Sequence, residues 1–438
     1  MFFKKTFSGG LHIPDYKDLS RDYPLGEIPP PKKIILPLIQ HSGSPAIPLV
    51  KPNEEVKLGQ KIASSDKYIS ASIHASVSGR VLKIDHSNHP LLGKSLAIFI
   101  ENNDNEQNFL KINEENPDNL SPEELKRIIQ EAGIVGLGGA GFPTHVKLSP
   151  PKPIDTLILN GAECEPYLTC DEKLLSEKPG EILKGLGTIK KIISPKNIFI
   201  GIEDNKKYLI KIIKEALEKI KDDNIKIITL KTKYPQGGEK QLIKAITGRE
   251  VPSGGLPFDV GVLVHNVGTV FAIYEAVYSG KPLYERIITI SGKAIKRKGN
   301  FRVRLGTLLS DIVEFCGGFV QEPKKIIFGG PMMGIAQWSL DIPIIKGTSG
   351  VLFLTEEEIN LEEAGPCIRC GRCIEVCPMK IMPASIGLAG EYEKWNLARE
   401  YSPLDCIECG ACSYICPTRR NLVQFLKLAK QFAGSVKK

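Results

Sequence analysis

No stretch of this sequence is long and apolar enough to cross a bilayer. The most apolar region, Val260 to Tyr274, is interrupted by His265 and Asn266 and stops short of a span. A secretory leader is missing too, because Met1-Phe2-Phe3-Lys4-Lys5 runs directly into Thr6, Ser8, Gly9 and Gly10. These absences predict a cytoplasmic chain whose membrane association comes through partners. Signatures of RNA binding and aromatics interleaved with basic residues are lacking, so nucleic acid is not an expected partner. Eleven cysteines are present, yet a reducing compartment argues against a disulfide framework.

What is present reads as several globular domains. A chain of 438 residues, 42% hydrophobic and 25% charged, is too long for one ordinary core and predicts three or more. Net charge is +8, with a basic run at Lys293, Lys296, Arg297, Lys298, Arg302 and Arg304. Docking of an acidic redox carrier or of anionic lipid is one reading of that run. A solvated hairpin rim is the plainer one and is preferred.

Eight cysteines fall in two copies of one pattern, "CIRCGRCIEVCP" from residue 367 and "CIECGACSYICP" from residue 406. Each is C-x2-C-x2-C-x3-C-P, the spacing of a two-cluster ferredoxin module in which the fourth cysteine crosses to the other cluster. Cys367, Cys370, Cys373 and Cys416 are therefore expected to hold one 4Fe–4S cluster. Cys406, Cys409, Cys412 and Cys377 are expected to hold the other. Zinc is the alternative, but it favours two CxxC pairs separated by a longer loop. Cys164, Cys170 and Cys316 have no such spacing and read as buried, inert thiols. Clusters carry single electrons, so a converter from a two-electron donor is implied, and flavin is the usual one.

The middle of the chain supplies glycine-rich turns. Ser121-Pro122-Glu123-Glu124 is a capping box that starts a helix through Leu125, Ile128 and Ile129. Behind it, "GIVGLGGAGFPTHVK" places five glycines in nine residues, a loop whose backbone N–H groups can close on phosphate or a planar ring. It does not fit the G-x-G-x-x-G fingerprint that follows a Rossmann strand. Next, "IDTLILNGAECEP" reads as a buried strand that delivers Asn160, Glu163 and Glu165 to its carboxyl end, where α/β sheets bind ligands. "YPQGGEKQLIKAITG" adds another Gly-Gly turn with Glu239 opening a helix.

In order, "GLGGAGFPTHVK", "NGAECEP", "YPQGGE" and "VHNVGT" resemble the flavin and NADH loops of the complex I NADH-binding flavoprotein subunit. With both cysteine sets included, residues 8 to 425 more closely resemble the C subunit of Rnf complexes, the ion-translocating ferredoxin:NAD oxidoreductases. The resemblance implies noncovalent FMN, NAD(H) on its exposed face, and two 4Fe–4S clusters. By motif position it implies that Gly136, Gly138 and Gly139 shape the bed, Lys147 meets flavin or phosphate, and Phe142 stacks on the dinucleotide. Asn160, Glu163 and Glu165 would line the flavin and nicotinamide side, and Tyr234, Gly237 and Glu239 another wall. Asn266 and Thr269 would reach the FMN phosphate. Ala162 stands where complex I has an acid, and Gly238 and Gly268 where it has glutamates, departures that imply a changed flavin potential and NADH affinity. No catalytic side chain is implied.

The implied fold class is multidomain α/β and α+β. Residues 1–29 form a leading segment. Residues 30–115 resemble a biotinyl/lipoyl-like barrel-sandwich hybrid, with Asp66-Lys67 near the hairpin where lipoyl domains carry their modified lysine; an unmodified barrel is preferred. Residues 120–284 form a complex I flavoprotein-like FMN domain, 285–350 a β-grasp (SLBB) domain, and 358–430 a helical two-cluster ferredoxin-like domain. "FGGPMMGIA" is a tight turn in which Met332 and Met333 are expected to pack. The final helix, with Leu422, Phe425, Leu426 and Ala429 on one face, is expected to pack on the ferredoxin module rather than lie on a membrane. Implied partners are the other components of such a complex, integral membrane ones and a ferredoxin-like iron-sulfur one among them, with the chain peripheral on the cytoplasmic face of the inner membrane. The cobalamin reductase of bacterial microcompartments and a non-enzymatic cluster relay remain alternatives.

Overall fold

Four short strands rich in β-branched residues, Thr156–Gly161, Asn197–Glu203, Ile225–Leu230 and Val262–Asn266, make the sheet that organises the molecule. A computed structural model, describing residues 5–104, 109–220 and 224–435, pairs all four in parallel. The crossovers are helical, as parallel pairing requires: Pro179–Ile193, Lys207–Ile220 and Glu239–Thr247 among them. The chain builds outward from Thr156–Gly161 through the second and third strands, then returns to place Val262–Asn266 on the other side. That reversal is a topological switch point, where a crevice opens at the carboxyl ends of neighbouring strands. Asn160 and Asn266 sit opposite each other there in register.

The capping box forms as expected. Ser121 caps the helix Pro122–Glu131, which buries Leu125, Ile128 and Ile129. Upstream lies a barrel of two antiparallel sheets dominated by the long hairpin Gly79–His89 and Gly93–Asn102. Downstream, Glu285–Ser291 and Gly299–Arg304 form a hairpin within a six-stranded mixed sheet. Two of its other members come from far away in sequence: Gly26–Glu27 at one edge, and Gly350–Leu354 inside.

The basic run divides: Lys293, Lys296 and Arg297 are exposed, as the solvated-rim reading expects, while two of its arginines are not. Arg302 and Arg304 turn inward with Lys281 onto Glu285, and Arg302 and Lys281 also meet Glu275. These cations hold the buried Glu285 carboxyl down at about 2 against the opposing cost of burial.

The C-terminal domain is built of short helices around Ile386, Ala389, Leu422, Leu426 and Ala429. Gly390 lets the helix Pro383–Glu391 approach the final helix Leu422–Ser435 closely, since a Cβ there would lie 2.6 Å from the Phe425 carbonyl oxygen. The final helix thus packs on the ferredoxin module. Among the described residues no helix is long and apolar enough to cross a membrane.

Candidate functional site

The glycine-rich segment closes on itself. Gly136 N–H donates to Phe142 O (2.8 Å) and Gly141 N–H to Gly136 O (3.0 Å), which leaves Gly138, Gly139 and Ala140 as an exposed tip. At Gly139, with φ of +105°, an added Cβ would meet nothing within 4 Å, so the tip is bare backbone beside open space. Gly138 lies against Asn266, where a Cβ would approach to 3.1 Å. Leu137 N–H donates to Thr269 Oγ1 (2.9 Å), tying the loop to the start of the helix Val267–Ser279.

Around this tip stand the other expected residues. Lys147 and Glu239 pair at 2.7 Å, both half-exposed. Asn160 donates to the Gly237 carbonyl at 2.8 Å, bringing the end of the central strand against the second glycine turn. Bare glycine backbone, a cation and a helix N-terminus at a switch point fit a planar ligand bearing a phosphate. Gly136, Gly138, Gly139, Phe142, Lys147, Asn160, Gly237, Glu239, Asn266 and Thr269 all gather at this edge of the sheet.

Several of these are engaged within the protein rather than free for a ligand. Asn266 donates to Asp171 (2.6 Å) and caps its own helix by accepting from Thr269 N–H. Thr269 is buried under the loop that it holds. Burial, with Glu163 nearby, pushes the Asp171 carboxyl above the ordinary range. Burial also drives the His265 imidazole far down, and Lys147 adds to that, so it is neutral.

Three expected wall residues stand elsewhere. Glu163 turns inward and caps the helix Cys170–Glu177, accepting from Asp171 and Glu172 N–H at 2.7 and 3.1 Å, with Lys17 at 3.9 Å. A carboxylate among those helix-end donors is held by them and by the dipole. Tyr234 is only 1% exposed, and its hydroxyl donates to the Cys409 carbonyl at 2.7 Å. Glu165 accepts from Met332 and Met333 N–H at 3.1 and 3.0 Å. Tyr234 and Glu165 therefore belong to a junction with the cysteine domain, not to an open wall.

The cysteines form two separate groups. Cys377, Cys406, Cys409 and Cys412 line one cavity, and all four are buried. Cys367, Cys370, Cys373 and Cys416 line the other, where Cys370 is exposed and Cys367 and Cys416 are half-buried. The crossing of Cys377 and Cys416 is what the two-cluster ferredoxin spacing requires. Burial pushes the Cys409 and Cys412 thiols up to about 12. The donor set and its burial fit 4Fe–4S clusters.

Sequence reasoning missed residues that complete these sites from a distance. Ser42, from the barrel, donates through Oγ to Ala140 O (2.9 Å) and through N–H to Gly141 O (2.9 Å), propping the glycine tip. Gly9, Gly10 and Leu11 wedge between the α/β unit and the cysteine domain: Gly10 N–H donates to Val376 O (2.7 Å), and Leu11 bridges Tyr234. A Cβ on Gly9 would lie 2.8 Å from the Cys377 carbonyl oxygen. Only the paired glycines "GG" at residues 9–10 signalled this close approach.

Family models match in the same order as the fold. They are the RnfC barrel sandwich hybrid domain (residues 5–106), the Nuo51 FMN-binding domain (129–275), an SLBB domain (287–336) and a 4Fe-4S dicluster domain (359–417). FMN and two 4Fe–4S clusters are thus the cofactors of this chain. The C subunit of the proton-translocating ferredoxin:NAD(+) oxidoreductase complex of Clostridium ljungdahlii is 50% identical over 430 residues, covering 97% of this chain and 93% of the relative. The C subunit of the Na(+)-translocating ferredoxin:NAD(+) oxidoreductase complex of Acetobacterium woodii is 43% identical over 429 residues, covering 97% and 96%. The C subunit of the ion-translocating oxidoreductase complex of Rhodobacter capsulatus is 41% identical over 395 residues, covering 89% and 76%. A solved NAD+-reducing NiFe-hydrogenase in the H2-reduced state is similar in fold, with a TM-score of 0.52 at 19% identity over 73% of this chain and 63% of that one. The chain belongs to the RnfC family, the C subunits of ion-translocating ferredoxin:NAD(+) oxidoreductase complexes.

Proposed function

We propose that this chain is the peripheral electron-transfer component of such a complex, exchanging electrons between NAD(H) and a partner protein by way of its own FMN and iron-sulfur sites. When bound, FMN supplies the conversion between the two-electron chemistry of a dinucleotide and one-electron steps. The chain's own residues bind and orient. Backbone at Gly138 and Gly139 makes the bed, Lys147 supplies a cation beside it, and the Lys147–Glu239 pair closes one side. Phe142 stacks on the dinucleotide. Cys377, Cys406, Cys409 and Cys412 would hold the cluster nearer the flavin turns, and Cys367, Cys370, Cys373 and Cys416 the one nearer the surface, each supplying one-electron carriage. A ferredoxin-like iron-sulfur protein of the complex docks there, and integral membrane components anchor the assembly at the cytoplasmic face of the inner membrane. The domain limits belong to the same proposal: leading segment 1–29, barrel 30–115, FMN domain 120–284, β-grasp domain 285–350 and cluster domain 358–430.

The observation that supports this reading best is the adjacency of the flavin-type glycine turns to a buried cysteine group, with Gly237, Cys164, Tyr234 and Cys409 in successive contact. Anaerobically purified protein with its iron restored provides the test. NADH is expected to bleach both the flavin band and the cluster absorbance. Bleaching of neither overturns the proposal.

A further inference from the structure

Five distant parts of the chain meet at one small junction between the flavin-type turns and the buried cysteine group. Leu11, Tyr234, Cys409 and Ala411 are buried together there, with Cys164 and Met332 packed against them. Two polar contacts set the spacing. The Tyr234 hydroxyl donates to the Cys409 carbonyl (2.7 Å), and the Glu165 carboxylate accepts from Met332 and Met333 N–H. Glu165 also lies 3.3 Å from the Tyr234 hydroxyl, so the two contacts are joined.

The turn that carries Met332 is pressed between both sides. A Cβ on Gly330 would run into the Glu165 carboxylate, and one on Gly410 would lie 2.7 Å from Met332 O. On the flavin side, Gly237 N–H donates to Cys164 Sγ (3.2 Å), while the Gly237 carbonyl accepts from Asn160. The junction thus runs as continuous contacts from the edge of the candidate flavin bed to the peptide unit of a cluster cysteine.

We propose that Tyr234 and Glu165 are positioning residues: they fix the loop of the buried cluster against the flavin bed and so set that cluster's potential and its distance from the flavin. This rests on the electron-transfer reading above. Tyr234 acts through the Cys409 peptide, because a hydrogen bond donated to a ligand's backbone favours the more negative, reduced cluster. Glu165 acts through the β-grasp turn, which it clamps by two backbone donors in a partly buried setting where lost partners cost most. Neither residue exchanges a proton or an electron in this role.

The test uses the full chain, purified anaerobically and loaded with iron, by potentiometric titration followed with electron paramagnetic resonance. Tyr234→Phe keeps the ring and removes the hydroxyl, with its contacts to the Cys409 carbonyl and Glu165. It is expected to make the buried cluster harder to reduce by roughly five- to tenfold in its equilibrium, where tenfold corresponds to about 59 mV for one electron. The cluster beside Cys370 should keep its potential. Gly330→Ala retains the Glu165 carboxylate but pushes it out of position, and should slow electron transfer from flavin to the buried cluster with flavin and iron content unchanged. Glu165→Gln, which retains one acceptor oxygen, should restore most of what Glu165→Ala loses. Variants that match the loaded wild type in both clusters overturn the inference alone, and so does an equal shift in both clusters. A wild-type chain that binds no clusters overturns the electron-transfer reading and this inference with it.

Discussion

The two cysteine groups have the same spacing and almost the same local backbone, yet they sit in opposite surroundings. Gly371 and Gly410 both adopt positive φ, at +78° and +75°, just before equivalent short helices. Against Gly410 lies the β-grasp turn, with Tyr234 and the amino-terminal wedge packed beside it. Around Gly371 an added Cβ would meet nothing within 4 Å. Identical local chemistry has therefore been given an inner and an outer role by what the rest of the chain packs against it. The inner group faces the flavin turns, and the outer one faces solvent and whatever docks there.

The largest break in that comparison comes from removing single ligands. Cys412→Ser should lose about half of the iron and abolish NADH-driven reduction of the remaining cluster, whereas Cys370→Ser should lose as much iron but leave the inner cluster reducible. Iron analysis with NADH titration of each variant checks both. Next in size is the shared core. Leu426 is 1% exposed beneath both groups, so Leu426→Ala should destabilise the domain by about 2–5 kcal/mol and loosen both clusters together, as thermal release of iron would reveal.

A smaller effect serves as a control remote from both groups. Glu285 is held at about 2 by Lys281, Arg302 and Arg304 against burial, below its ordinary value near 4.5. Its contribution is fully present above about pH 4.5 and is lost as pH falls toward 2. Glu285→Gln should cost about 3 kcal/mol at neutral pH and flatten the acid limb of the unfolding curve without distinguishing the clusters. Smallest is a kinetic contrast. A soluble iron chelator should strip the outer cluster about tenfold faster than the inner one, equivalent to about 1.4 kcal/mol in barrier, as seen by the order in which the two resonance signals vanish.

How much of this was legible in sequence depended on distance along the chain. The pairing of Cys377 and Cys416 with the opposite sets follows from cysteine spacings within each short motif, and such local geometry survives any tertiary context. The flavin turns were legible for the same reason, since strand ends and glycine loops announce themselves within a few residues. Side-chain direction was not. "NGAECEP" places Glu163 and Glu165 in the right loop, but a positive φ of 43° at Glu163 rotates its carboxylate under a helix end. Glu165 is then claimed by backbone donors that begin 167 residues away. Ser42 could not have been assigned at all, and Gly9 and Met332 only as a close approach and a packing residue, because their partners exist only once barrel, amino-terminal segment and β-grasp turn meet the central unit. Two members of the basic run were illegible for a related reason: Arg302 and Arg304 answer acids on a neighbouring strand and helix, which composition alone cannot pair.

The order in which the two clusters fill from the flavin side is the most direct measurement of the inner and outer roles. Rapid freezing of the protein after mixing with NADH, with the outer signal identified by its loss in Cys370→Ser, resolves that order by electron paramagnetic resonance. The signal from the buried group should rise first and the Cys370 group should follow. Reduction of the exposed group first, or with the buried one still oxidised throughout, would contradict it.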